Sequence, residues 1–284
     1  RTGARDALLS DEATPASKGA VFGFHRSMDT LGAAVGPVIA LLFLYFYPGE
    51  YVILFYLAFL PGLVSVLITL VLKEKPRIDR PSPKGDGFFG FLTYVSRSNR
   101  QYKMLLTGLL LFALFNSSDI FLLLIVKHHG YSDTEMVGLY IFYNLVFALF
   151  SYPLGTLADK IGLKKMFIAG LIIFAITYSG IALSSERLIL LLLFFFYGIY
   201  AACTEGVSKA WISNICDRSD TGTAIGTYEG LRSITTFFSS TIAGVIWIYF
   251  NPETMFLATA IAVLGIVLFF LKIPYAESTI LNDS

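Results

Sequence analysis

Long apolar runs, each closed by a short polar turn, recur eight times along this chain. They cover Gly19–Tyr47, Tyr51–Leu72, Met104–Val126, Met136–Ala158, Met166–Leu183, Leu188–Val207, Thr221–Phe250 and Met255–Leu271. Most reach the roughly 20 residues that an α-helix needs to cross about 30 Å of hydrocarbon. None shows the alternation over about ten residues that a membrane barrel requires. Lipid offers backbone N–H and C=O groups no outside partner, so each run is expected to satisfy its own as a helix. The pattern predicts an all-α polytopic membrane protein with eight transmembrane helices.

Composition agrees with that pattern. The chain has 284 residues, 56% of them hydrophobic and 14% charged, with a mean hydropathy of +0.70. About a quarter of the residues in an ordinary soluble domain are charged, and so few charges cannot build a water-soluble shell. The formal net charge of +1 gives no reason to expect a nucleic-acid partner. The bilayer is the partner that composition requires.

The placement of Lys and Arg carries more than their number. Sixteen of the 21 lie in one alternate set of polar segments: Arg1 to Lys18, Lys73 to Lys103, Lys160 to Lys165, Arg218 and Lys272. The opposite set holds only Lys127 and Arg187. By the positive-inside rule the first set is cytoplasmic. With eight crossings both ends of the chain fall on that side, which suits a multi-pass protein of a plasma or inner membrane.

The longest polar stretch, Lys73–Arg100, has the Pro, Gly and charge content of an exposed linker. Phe88–Val95 within it is expected to lie along the membrane surface. The linker divides two apolar runs from six. Sliding the chain by 203 positions brings Gly3, Ala7, Ser10, Gly19, Gly23, Ile39 and Ala40 onto Gly206, Ala210, Ser213, Gly222, Gly226, Ile242 and Ala243. An internal repeat of this kind marks duplicated architecture. The expected organisation is residues 1–72 as the last two helices of one bundle, 73–101 as a central linker, 102–274 as a complete six-helix bundle and 275–284 as a cytoplasmic tail. The chain opens on R-T-G-A-R-D-A without an initiator Met, so it reads as lacking about four helices at its front.

Between the fourth and fifth runs stands G-T-L-A-D-K-I-G-L-K-K. Through Gly155, Asp159, Lys160, Gly162 and Lys164 it resembles the G-x-x-x-D-[RK]-x-G-[RK]-[RK] loop of the major facilitator superfamily. Leu163 departs from it, leaving Lys164 or Lys165 to supply the charge. Glycines permit a close helix approach and a tight turn, and a carboxylate can dock on the positive N-terminus of a neighbouring helix. In the family that neighbour belongs to the other half, and the contact latches one access state. Gly23, Gly32, Gly36 and Pro37 in the first run resemble the antiporter motif of proton-linked exporters in the same superfamily. Ala40 and Leu41 stand where that motif ends in glycines. The resemblance implies a 12-helix fold, of which eight helices are present, built from parallel six-helix halves.

Charges inside the runs are the remaining candidates, because an isolated one costs about 3 kcal/mol or more. Arg26 and Asp29 are three apart and can meet on one helix face. Their repeat partners are Glu229 and Arg232, with signs reversed, and local pairing of Arg26 with Asp29 and of Glu229 with Arg232 is expected. Such pairs either fix packing or break and re-form as halves rock. Asn116 and Asp119, in F-N-S-S-D, are expected to share a helix face, and the resemblance implies that this helix lines the cavity. Asp119 has no basic residue within a turn, which makes it the leading proton or substrate candidate. Glu205 and Lys209 have the favourable i, i+4 order, and the resemblance places Glu205 at the gate near Asp159.

Other chemistry is not signalled. His128 and His129 read as loop residues, and Cys203 and Cys216 as unpaired thiols with no metal-ligand spacing. No G-x-x-x-x-G-K-[ST], H-E-x-x-H or G-x-S-x-G is present, so no ATP site and neither common hydrolase signature appears. The resemblance implies a monomeric, cofactor-free, non-enzymatic secondary transporter that exports a small solute in exchange for protons. An importer or facilitator of the same fold, or a non-transporting sensor or scaffold, are the alternatives.

Overall fold

The computed structural model of the chain describes residues 2–71 and 90–272. Its eleven α-helices run in chain order as α1 (Thr2–Asp11), α2 (Lys18–Phe46), α3 (Tyr51–Val71), α4 (Gly90–Arg97), α5 (Arg100–Phe115), α6 (Ile120–His128), α7 (Asp133–Ile161), α8 (Leu163–Leu183), α9 (Arg187–Ile215), α10 (Thr221–Tyr249) and α11 (Pro252–Lys272). A single 3-10 turn, Arg218–Asp220, precedes α10. No strand occurs among the described residues. Eight helical spans are long and apolar enough to cross a membrane, with α5 and α6 sharing one of them. Most of the central linker and all of the C-terminal tail lie outside the described residues. Within the linker α4 covers Gly90–Arg97, and Tyr94 packs edge-on against Tyr102 at 5.3 Å between ring centroids.

Local chemistry sets the helix ends. Ser132 caps α7 by accepting from the Glu135 amide, and Glu135 returns a bond to the Ser132 amide at 2.9 Å, a reciprocal capping box. Gly162 joins α7 to α8 at φ +102°, where a side chain would be strained, so a one-residue turn between two membrane helices requires glycine there. Asn99 caps α5 through its Oδ1, 2.7 Å from the Tyr102 amide.

The third apolar run departs from the expected single helix. It breaks across Asn116–Asp119. Asn, Ser and Asp side chains compete for backbone hydrogen bonds and disfavour helix interiors. The freed Ser118 amide is taken up by Ser240 Oγ of α10 at 3.2 Å.

Helices α5 to α11 surround an aromatic core. Phe174 stacks on Tyr178 with centroids 3.9 Å apart, and Phe112 meets Phe174 and Tyr200 edge-on. Large apolar side chains on the outer faces, such as Leu149, Leu183 and Ile261, are exposed, as suits helices solvated by lipid.

The segment before the linker docks on this body at one end. Helix α2 runs antiparallel to α7, and α1 lies against α10. Gly19 and Gly155 touch backbone to backbone, leaving no room for a Cβ on either, and a Cβ on Gly23 would fall 2.5 Å from the Ser151 carbonyl. Ser27 Oγ donates to the Ala148 carbonyl further along the same contact. The repeat seen in the sequence has a spatial counterpart. A Cβ on Gly3 would meet Gly222 O at 2.7 Å and Gly226 Cα at 3.2 Å, and one on Gly206 would meet Phe22 and the Gly23 amide at 3.2 Å. These contacts are related by the 203-residue offset, as expected of two segments disposed about a pseudo-two-fold axis.

Candidate functional site

At the end of the molecule that carries loops 12–17 and 216–220 the two segments are sealed together. Asp159, in the last turn of α7, accepts from the backbone amides of Gly19 at 2.7 Å and Ala20 at 2.8 Å. Those amides belong to the first turn of α2 and have no intrahelical partner. The carboxylate therefore caps a helix of the other segment and meets its positive end. Gly155 lies one turn earlier, and its lack of a side chain allows α2 close enough for the cap to form. Lys18 adds a buried bond from Nζ to the Ser213 carbonyl at 2.5 Å. Of the other motif residues, Lys160 is exposed and Lys164 is part-buried on this end, where Lys164 Nζ reaches the Leu271 carbonyl at 3.3 Å.

Packing loosens along α2. The face of α2 that is buried consists of Lys18, Gly19, Phe22, Gly23, Ser27, Thr30 and Ala34. Gly32 and Gly36 are exposed, and a Cβ built on either would meet nothing within 4 Å among the described residues. Of these glycines, Gly23 makes a close backbone approach among the described residues. Pro37 lies inside the continuous helix α2.

Where α2 separates from its partners a cavity of about 460 Å³ opens. Its wall takes Arg26, Asp29 and Thr30 from α2, Asn116–Asp119 from the break between α5 and α6, and Tyr140, Tyr143 and Phe147 from α7. Tyr197, Tyr200 and Glu205 of α9 and Arg232 of α10 also line it. The helix break turns Asn116 and Asp119 toward this space, so they share the cavity although they do not share a helix.

Asp119 is held by two phenols. Tyr143 and Tyr197 donate to its two carboxylate oxygens, each at 2.6 Å. Asn116 Nδ2 donates to Tyr200 Oη at 3.0 Å, while its Oδ1 is buried without a partner. Among the described residues Asp119 has no cationic partner. These tyrosines were not singled out in the sequence. The available signal was Tyr197 and Tyr200, three apart and followed at helical spacing by Ala201 and Thr204 on the buried face of α9.

The other intramembrane charges form a chain rather than two local pairs. Arg26 reaches Asp29 at 3.4 Å, but also Glu205 at 3.5 Å, and lies over the Phe147 ring at 5.3 Å. Arg232 grips Glu205 with both terminal nitrogens, at 2.5 and 3.1 Å, and stands 3.9 Å from Glu229. Lys209 bonds Asp6 at 2.8 Å and Glu229 at 3.2 Å. The expected Glu229–Arg232 pair is thus the longest of these contacts. Glu205 and Lys209 point to other partners despite their i, i+4 spacing. Glu205 joins the cavity network, and its ion pairs are with arginines rather than with the Asp159 end. The planar guanidinium of Arg232 suits this two-pronged grip on a buried carboxylate.

At the opposite end, the Arg187–Glu135 and Lys127–Asp133 ion pairs lie on exposed loop edges. The ring centroids of His128 and His129 are 6.0 Å apart. No group of three or more metal-ligand residues occurs among the described residues.

Comparison with known proteins gives one consistent family. A family model described as Major Facilitator Superfamily matches residues 2–144 and again residues 136–283. An uncharacterized MFS-type transporter of Methanocaldococcus jannaschii is 32% identical over 279 residues, covering 95% of this chain and 68% of that protein. The crystal structure of the human organic anion transporter MFSD10 (TETRAN) superposes with a TM-score of 0.79 at 15% identity, covering 93% of this chain and 66% of that one. The chain spans about two thirds of the length of each.

Proposed function

Because this chain belongs to the major facilitator superfamily, we propose that it is part of a secondary transporter that moves a small solute across a membrane by alternating access, coupled to protons in the direction of export. The observation that carries the reading is the cavity itself, walled by helices of both segments, lined by Asp119, and sealed at one end by the Asp159 cap on α2. In this reading residues 1–72 close one six-helix bundle and residues 102–274 form the other. The basic loops face the cytoplasm, which makes the described arrangement open to the outside. Asp119, with Asn116 beside it, is the proton or solute site. Glu205 ties Arg26 of one bundle to Arg232 of the other, and Gly155, Asp159, Lys160, Gly162 and Lys164 form the latch on α2. Antiport draws support from Gly23, Gly32, Gly36 and Pro37 only as a sequence resemblance.

The test is internal pH in proteoliposomes that hold the intact protein, challenged with cationic, neutral and anionic solutes. Solute-evoked proton flux that Asp119→Asn abolishes in a folded protein supports coupled exchange. Tracer uptake without proton flux points to a facilitator. Neither signal with any solute points to a sensor or scaffold.

A further inference from the structure

Three carboxylates and two guanidiniums line the cavity: Asp29, Asp119 and Glu205 against Arg26 and Arg232. Glu205 and Asp29 are taken by the two arginines. Asp119 is left with two neutral donors, the phenols of Tyr143 and Tyr197. Those bonds orient the carboxylate and occupy one acceptor position on each oxygen, but they add no positive charge. A carboxylate oxygen can accept more than one hydrogen bond, so both retain room for a donor from the cavity. Among the described residues the wall is one positive charge short of balance, and the imbalance sits at Asp119.

The surroundings of Asp119 define what could supply that charge. Tyr140 and Tyr143 stand edge-on at 5.4 Å between centroids and Tyr143 and Tyr197 edge-on at 5.3 Å, while Tyr197 and Tyr200 are tilted at 5.2 Å. All four line the cavity. The faces of aromatic rings attract cations, and a desolvated site strengthens that attraction. Phe147, by contrast, is already covered by Arg26. Asn116 Oδ1, buried and without a partner, offers a further acceptor on the same stretch of backbone. A volume of about 460 Å³ lies within the range of sites for drug-sized molecules.

We propose that this cavity selects an organic monocation, a small amine carrying an apolar or aromatic body, with the ammonium on Asp119 and the body against the tyrosine wall. The proposal rests on the reading of the cavity as the solute site. An inorganic cation would be served by a cage of oxygen ligands, whereas Asp119 is flanked by tyrosines whose phenols donate to it. An organic anion would place its charge against Asp119 and find Arg26 and Arg232 already engaged.

The experiment measures equilibrium binding to the intact purified protein in lipid nanodiscs. The probes share one body and differ in charge: phenethylamine, 2-phenylethanol and phenylacetate at pH 7. The expected result is saturable binding of phenethylamine at least about ten-fold tighter than that of the other two. Asp119→Asn should erase the preference, and Asp119→Glu should retain it. Equal binding of all three, preference for phenylacetate, absence of saturable phenethylamine binding, or a cation preference that survives Asp119→Asn would each overturn the proposal. The charge series on unmodified protein decides the matter even where Asp119→Asn does not fold. Uptake measured in parallel separates the two claims. Preferential transport of phenylacetate sinks the cation site and leaves the transporter standing, whereas tight phenethylamine binding without movement of any solute supports the cation site and sinks transport.

Discussion

Asp159 and Gly19 are 140 positions apart in the chain, yet the carboxylate of the first lies 2.7 Å from the amide of the second. The contact joins the last turn of one membrane helix to the first turn of another. Replacing Asp159 with Ala orphans two amides at once, and loss of one such cap typically costs about 1–2 kcal/mol. Cys216 is a natural reporter of this loss. It sits at the sealed end, and burial pushes its thiol above the ordinary value, with the nearby Lys18 opposing. Alkylation needs the thiolate, so a sealed end protects Cys216. Asp159→Ala should speed maleimide labelling of Cys216 severalfold and leave the buried Cys203 unlabelled. Unchanged labelling would show that the cap does not hold this end closed.

Glycines on one helix face should divide sharply. Gly19→Ala and Gly155→Ala drive a Cβ into the partner backbone, which cannot yield as a side chain can, and overpacking of this kind costs about 1–3 kcal/mol. Gly32→Ala and Gly36→Ala meet open space and gain helix propensity, so they should be neutral or stabilising by up to about 1 kcal/mol. Thermal unfolding of the four variants in detergent checks the contrast.

The Asp6–Lys209 pair is buried at Asp6 and part-buried at Lys209, with side chains 0% and 12% exposed. Removing one member of such a pair leaves a charge uncompensated and typically costs about 3–5 kcal/mol. Asp6→Asn and Lys209→Met should both fall below that range, because Lys209 retains Glu229 at 3.2 Å and Asp6 retains Arg5 at 3.3 Å. The exchange Asp6→Lys with Lys209→Asp should recover part of the loss. A double-mutant cycle measures the coupling.

His129 should make the far end sensitive to acid. Burial lowers its affinity for a proton below that of an ordinary histidine, the neighbouring His128 adds to the effect, and Glu253 opposes it. An unfolded histidine titrates near 6.5, so as pH falls below that value the unfolded chain takes up the proton first and stability is lost. Melting temperature should therefore decline between about pH 7 and pH 5, and His129→Gln should flatten the decline.

The eight spans were legible because hydrophobic run length is a local property that needs no partner. The Asp159 cap was partly legible, since Gly155, Asp159 and Gly162 each answer a backbone demand that recurs wherever two helices meet this way. What could not be read was the pairing of charges. Spacing within a helix suggested Arg232 with Glu229, but side-chain choice depends on neighbours 27 residues away, and Glu205 wins with a two-pronged grip. The break at Asn116–Asp119 was visible in residue type, and the length of the apolar run overrode it. The tyrosines around Asp119 were hidden because a tyrosine at a lipid interface and one in a cavity have the same sequence signature.

Three repeat-related positions carry opposite charge in the two segments: Asp6 and Lys209, Arg26 and Glu229, Asp29 and Arg232. At the pseudo-axis Asp6 meets Lys209, its own counterpart. Two identical copies of either segment, brought together by the same rotation, would set Asp6 against Asp6 or Lys209 against Lys209 in a dry interface. Like charges there repel, so neither segment is a good mate for itself. The charge at Asp6 and Lys209 thus sorts the two segments, and the chain that tethers them joins surfaces that already discriminate self from partner.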